Sequence, residues 1–387
     1  MWLRMLICVG LVTGASAPAR AAPFSPASDS QVLERLPFTP SDPVMRELSA
    51  LRAQLARQPD ALPLAVRLAR GYLELGRITG DPRYTGYAQA ALAPWWRLKQ
   101  PPQEVLVLRA TVRQRVHQFD AALADLAAAL SANPRNAQAR LTRATVLQVQ
   151  GSYEAAREEC STLQRQVQEL VWVACLANVD GVSGRLRESY VRLQAALDRQ
   201  PRTQPELRGW VVTSLAEMAA RADMPEAAQS HFREALMLDA NDNYLLGAYA
   251  DFLLDHGQPQ EVVRLLQDKT RADPMLLRYA LALKAQHSRE LPAQVEQLRD
   301  RFAASRLRGD RVHLREEARF TLHLLDDPTA ALRLAQENWQ VQKEPADARI
   351  LLEAALAAHD AAATSAVGQW LKTSRVEDVQ LSRLRPP

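Results

Sequence analysis

Glycine is scarce in this chain, 14 of 387 residues, and aromatic side chains make up only 6%. Hairpin turns and pleated strands draw on both, so the composition argues against a β-rich fold. Cysteine occurs three times, at positions 8, 160 and 175, too few for a disulfide framework or a cysteine-rich zinc module. Lysine is nearly missing too, standing only at 99, 269, 284, 343 and 372. The 48 basic residues are mostly arginine, are balanced by 44 acidic ones, and are spread without interleaved aromatics. No nucleic-acid footprint is built that way. Beyond the first twenty or so positions the longest nearly apolar run is Leu170 to Val179, far short of the ~20 residues needed to cross a bilayer. What remains abundant is Ala, Leu, Arg and Gln, the vocabulary of helices.

Catalytic patterns are missing as well. There is no Gly-x-Ser-x-Gly elbow, no glycine-rich phosphate loop and no Ser-x-x-Lys pair. The seven histidines, 117, 231, 256, 287, 313, 323 and 359, never fall four apart on a helix and never join a cysteine, so no metal site is expected. Acidic doublets such as Glu158-Glu159 and Glu316-Glu317 sit among arginines and read as salt-bridged faces. Neither a cofactor nor an enzymatic activity is expected.

The N-terminus has one positive charge, Arg4, ahead of an apolar run from Met5 to Ala15, and then Ala19-Arg20-Ala21. That order reads as a secretory signal over residues 1–21, with a mature chain beginning at Ala22 in the periplasm or the medium. Without Arg4 and Arg20 the charge is close to even. Residues 22–43 hold five prolines and the apolar island Val32 to Phe38, a leader expected to be extended.

Self-similarity organises the rest. A shift of 34 residues lays Arg109 on Arg143, Ala110 on Ala144, Phe119 on Tyr153, Asp120 on Glu154, Ala121 on Ala155 and Ala122 on Ala156. The same frame continues upstream to Leu68 and Tyr72, with about seven residues inserted from Thr79 to Thr85, and downstream through Leu246 and Ala250 to Pro274. Residues 44–274 are therefore expected to form a capping helix, Val44 to Gln58, followed by stacked helix pairs. Residues 275–387 keep the turn punctuation and lose the spacing, as degenerate helical repeats and a tail. A lone pair cannot bury its apolar stripe, so neighbours must cover it.

These slots resemble the tetratricopeptide repeat family, with Ala110, Ala122 and Ala129 in the small-residue positions and Pro134 closing a pair. The resemblance implies an all-α, right-handed superhelix of antiparallel helix pairs whose first helices line a concave groove. Its outward slots would hold Arg70, Glu74, Thr111, Gln114, Arg115, Thr145, Gln148, Asn178, Trp210, Thr213, Glu217, Arg221, Tyr244, Asp251 and Asp255. Trp210 and Tyr244 are the aromatic anchors of that surface. It implies a non-catalytic scaffold or adaptor for a protein or an extended peptide. An envelope enzyme or its accessory subunit, and a cell-wall glycan module, are the rival readings; acid-base residues converging on a deep pocket would favour the first of these, stacked groove aromatics the second. The Lys and Asn clamp for a C-terminal carboxylate is matched only at Asn178. Cys160 and Cys175 fall on adjacent helices, which leaves open either a disulfide or two buried thiols. Partner identity and oligomeric state are not written in the sequence.

Overall fold

The computed structural model describes residues 38–384 together with positions 28 and 30, and among them every regular element is helical. The signal and most of the leader lie outside the described residues. Helix α1 (Pro43–Arg57) buries Leu48 and Leu51 against α2. Pairs then follow: α2 (Leu62–Thr79) with α3 (Arg83–Ala91) and a short α4 (Ala93–Trp96), α5 (Gln103–Arg115) with α6 (Phe119–Ala132), and α7 (Ala137–Val149) with α8 (Tyr153–Thr162). Next come α9 (Glu169–Asp180) with α10 (Leu186–Asp198), α11 (Pro205–Arg221) with α12 (Pro225–Leu238), and α13 (Asn243–Asp255) with α14 (Pro259–Leu266). The C-terminal part continues without a break as α15 (Asp273–Ala285) with α16 (Leu291–Leu307), α17 (Leu314–His323) with α18 (Pro328–Trp339), and α19 (Pro345–Ala357) with α20 (Ala361–Ser374), ending in α21 (Val379–Leu384). Pro274, expected to end a pair, instead opens α15 in its first turn, where the missing N–H costs nothing.

The small-residue slots explain the pairing. Ala110, Ala122, Ala144 and Ala156 are all buried, whereas Ala128 one face round is exposed, so the helices of each pair meet over methyl groups. Within each pair from α5 onward the connecting turn contains a left-handed residue: His117, Gly151, Gly184, Asp223, Gly257, His287, Asp326 and His359. Those residues tolerate positive φ better than most. Three of the seven histidines are thus accounted for as turn formers.

A buried ion pair also follows the 34-residue frame. Arg109 forks onto Asp125 with Nε to Oδ2 at 2.9 Å and Nη2 to Oδ1 at 2.7 Å, and one repeat later Arg143 meets Glu159 at 3.0 Å. Cys160 and Cys175 are joined in a disulfide, with Cα atoms 5.5 Å apart, between α8 and α9.

The winding is tight enough for successive turns to touch. The end of α2 meets the α12–α13 turn, where Asn243 Nδ2 donates to the Ile78 carbonyl at 2.7 Å and Arg77 pairs with Asp242. Further along, the Lys343 N–H donates to the Val149 carbonyl at 2.8 Å and the Leu186 N–H to Glu377 Oε2 at 2.7 Å. Each contact joins residues five or six helix pairs apart. The groove expected from the repeat therefore closes into a lumen.

Candidate partner-binding lumen

The lumen is a cavity of about 1050 Å³ walled by first helices from both halves of the chain. Of the concave residues expected from the repeat, Gln148, Asn178, Glu217, Arg221, Tyr244, Asp251 and Asp255 line it together. Arg70, Glu74, Gln114, Arg115, Trp210 and Thr213 do not. Arg70 is exposed, Glu74 pairs with Arg77 at 2.7 Å, and Arg115 packs toward Gly76. Thr213 is buried and its hydroxyl donates to the Gly209 carbonyl, as those of Thr111 and Thr145 donate to Val107 and Leu141. Gln114 is half-buried, and Trp210, 40% exposed, stands outside the cavity.

Tyr244 stands in the first turn of α13, whose N-terminus is capped by Asp242 through the Tyr244 and Leu245 N–H groups. Its hydroxyl donates to Glu217 Oε1 at 2.8 Å. The ring is 65% exposed, yet the hydroxyl's pKa rises well above the ordinary tyrosine value, through the Glu217 charge first and burial second. Both facts hold because the ring is exposed toward the cavity, where the surrounding protein desolvates the hydroxyl. Glu217 is pushed up by the same burial, partly opposed by the Tyr244 bond.

Two of the expected contact residues are already occupied from within. Asp251 lies between Arg278 on α15, at 2.5 Å, and Arg319 on α17, at 3.0 Å. Burial alone would raise its pKa, and the two guanidinium groups outweigh it and hold the carboxyl far below the usual range. Asp255 takes both ends of the Arg349 fork at 2.8 Å. Arg349 also bonds Glu353, which accepts from His323 Nε2 at 2.9 Å. The curvature that brings α17 and α19 across to α13 creates these pairs, and residues 68 and 94 apart gave no local signal for them.

The C-terminal half adds a group that the repeat frame did not single out. Arg315 serves three carboxylates, Glu316 at 3.4 Å, Glu344 at 3.2 Å and Asp347 at 3.4 Å. Asp347 is fully buried, accepts from Asn338 Nδ2 and closes a capping box with Glu344 at the start of α19. Burial and the Asp347 charge push Glu344 up to about 7. Arg221 is the converse case: its Nε is buried without a hydrogen-bond partner. Gln148 and Asn178 line the same cavity. Among the described residues no three His, Cys, Asp or Glu side chains converge as metal ligands, and no helix is long and apolar enough to cross a membrane.

Fold and lumen together define an α-solenoid of antiparallel helix pairs wound into a tight superhelix. Residues 116–177 match the family model described as tetratricopeptide repeat. Among solved structures it is similar to a tetratricopeptide repeat protein from Parabacteroides merdae, at 14% identity and a TM-score of 0.44, over 62% of this chain and 92% of that one. It is also similar to yeast Tom70, at 12% identity and a TM-score of 0.31, over 88% and 90% of the two chains. No curated protein sequence matches it.

Proposed function

We propose that this protein is a non-catalytic scaffold that holds an extended segment of a partner protein in its lumen, and that it does so after export from the cell. The observation that carries the reading is the convergence of Gln148, Asn178, Glu217, Arg221 and Tyr244, contributed by four successive first helices, on one cavity. Pockets of a few hundred to about 1,000 Å³ hold small ligands, so a lumen of this size accommodates several residues of extended chain. Tyr244 offers a large amphipathic surface of the kind that anchors interfaces. Gln148 and Asn178 supply side-chain amides, and Arg221 a guanidinium whose Nε has no hydrogen-bond partner.

The test is quantitative capture from envelope extract with the wild type, Tyr244→Ala, Arg221→Ala and Arg67→Ala, the last an exposed outer residue. Proteins retained by wild type and Arg67→Ala but lost from both lumen variants support the reading. Equal retention by all four, with unchanged circular dichroism, overturns it.

One observation favours a second reading, an envelope enzyme or accessory subunit. Glu344, with its pKa raised to about 7, lines the cavity beside Arg315 and could exchange a proton near neutrality. A hydrolase and transferase screen in which Glu344→Gln abolished a turnover would support that alternative.

A further inference from the structure

We propose that the line of contact between successive turns of the superhelix is a gate, a polar seam that parts to admit an extended chain sideways into the lumen. The proposal rests on the reading that the lumen is the binding site.

The chemistry of the seam differs from that of the stack. Neighbouring repeats are cemented by apolar clusters, such as the one running from Leu170 to Leu283. Across the seam the contacts are hydrogen bonds and ion pairs. Arg77 meets Asp242, Asn243 bonds the Ile78 carbonyl, Arg271 reaches Asp81 at 3.1 Å, Tyr153 donates to the Lys343 carbonyl at 3.2 Å, and Glu377 accepts from the Leu186 N–H. Trp370 is the exception, packing on both the C-terminal cluster and the cluster around Cys160. The Arg77–Asp242 pair is exposed and weakens with salt, and the others are part-buried hydrogen bonds and ion pairs, each a modest net contribution. Apart from Trp370 and Tyr153, the seam can separate with far less apolar surface exposed than parting neighbouring repeats would require.

Glycine placement points the same way. Gly80, Gly151 and Gly184 have φ of 65°, 79° and 91°. A Cβ at each would meet the opposing turn: Asn243 Nδ2 at 3.1 Å, Lys343 Cδ at 3.4 Å and Arg375 Cβ at 2.7 Å. Gly257 and Gly309 also have positive φ, and a Cβ there would meet nothing within 4 Å. At the seam, glycine therefore serves close approach between turns as well as the local backbone. With the seam shut, the contacts along it narrow the approach to Tyr244. With it parted, the inner wall opens along its length.

The experiment uses the full chain with Tyr244→Cys, oxidised so that Cys160 and Cys175 stay paired. It is labelled with N-ethylmaleimide or with a maleimide carrying a polymer tail too bulky for the lumen, and modification at position 244 is read by peptide mass spectrometry. Labelling by the bulky reagent scales with the fraction of open molecules, so Gly80→Ala should raise its rate by about tenfold or more, and high salt should raise it too. Gly257→Ala imposes the same φ of 65° without the contact and should leave the rate unchanged. Arg77→Ala combined with Glu377→Ala removes seam bonds without backbone strain and should act like Gly80→Ala, which keeps the test open if the glycine variant misfolds. The small reagent should label all forms alike. The gate is refuted if the bulky reagent is already as fast as the small one in the starting protein, or if the Gly80 and Gly257 variants change together. Neither result needs a partner, so a failed gate leaves the lumen reading standing, and loss of that reading in the capture experiment is a separate outcome.

Discussion

Replacing Asp125 by alanine should be among the most damaging single changes in the N-terminal repeats. The side chains of Arg109 and Asp125 are 8% and 5% exposed, and Asp125 also accepts from Arg113 at 2.7 Å. Arg109 is further tied to the Trp96 carbonyl, so it cannot swing out to water when its carboxylate is removed. Removing one partner of such a buried pair typically costs about 3 to 5 kcal/mol, because the other charge is stranded. The equivalent change one repeat later, Glu159→Ala, should cost less, about 1 to 2 kcal/mol, because Arg143 is 35% exposed and can return to solvent while Arg140, 16% exposed, loses a part-buried partner. Replacing the whole pair, as Arg109→Met with Asp125→Leu, should restore much of the loss, since apolar replacement of a buried pair is often neutral.

The assay is urea unfolding followed by helical circular dichroism, with Trp fluorescence as a second probe of the repeats that hold Trp95, Trp96, Trp172, Trp210, Trp339 and Trp370. Two probes are needed because neighbouring repeats in a solenoid need not unfold as one unit. If Asp125→Ala costs less than about 1 kcal/mol, or no more than Glu159→Ala, the argument that burial decides the outcome fails.

Four further expectations follow from particular residues. Ala122→Leu or Ala156→Leu should overpack a helix contact and cost about 1 to 3 kcal/mol in a thermal melt, against almost nothing at exposed Ala128; equal tolerance at all three would overturn the repeat register. Thiol labelling of unfolded, unreduced protein should find Cys160 and Cys175 unreactive, and reduction should remove about 3 kcal/mol for a loop of this size; two reactive thiols would refute the pairing. The folded chain holds the Glu344 proton up to about pH 7, whereas an ordinary carboxyl at 4.5 has already released it, so wild type should lose stability relative to Glu344→Gln as pH rises through that window; identical pH profiles would show that Glu344 titrates normally. Mass spectrometry of exported protein should place the mature N-terminus at Ala22, and an intact Met1 would withdraw the signal peptide.

Much of the fold was legible because local packing repeats. Ala122 and Ala156 fall in register because two helices can approach closely only over small side chains, and that demand recurs in every pair. The same shift also lays Asp125 on Glu159, a signal present in the sequence beside the Arg109 and Arg143 match and explained by the buried pairs. The scattered histidines carried a signal too: His117, His287 and His359 fall in the same slot as Gly151, Gly184 and Gly257, where a left-handed residue turns the chain. From α15 onward the small-residue pattern fades while the turn slot persists, which is why the helices could be placed there more readily than their packing.

The site was less legible because curvature is a sum of small rotations between neighbouring pairs, and no single residue encodes it. A slightly wider winding would leave Asp251 and Asp255 free to meet a partner, as an open groove implies. The observed winding hands them to Arg319 and Arg349 of the same chain and leaves Gln148, Asn178, Arg221 and the exposed ring of Tyr244 lining the cavity. A residue's position in the repeat thus decides which wall it faces, and the pitch of the superhelix decides whether it has anything left to bind with. Gly80 and Gly184 bear on that pitch directly, because a Cβ at either would press on the opposing turn at 3.1 and 2.7 Å. The determinants of partner access therefore lie in the turns at the seam, away from the helices that would make the contact.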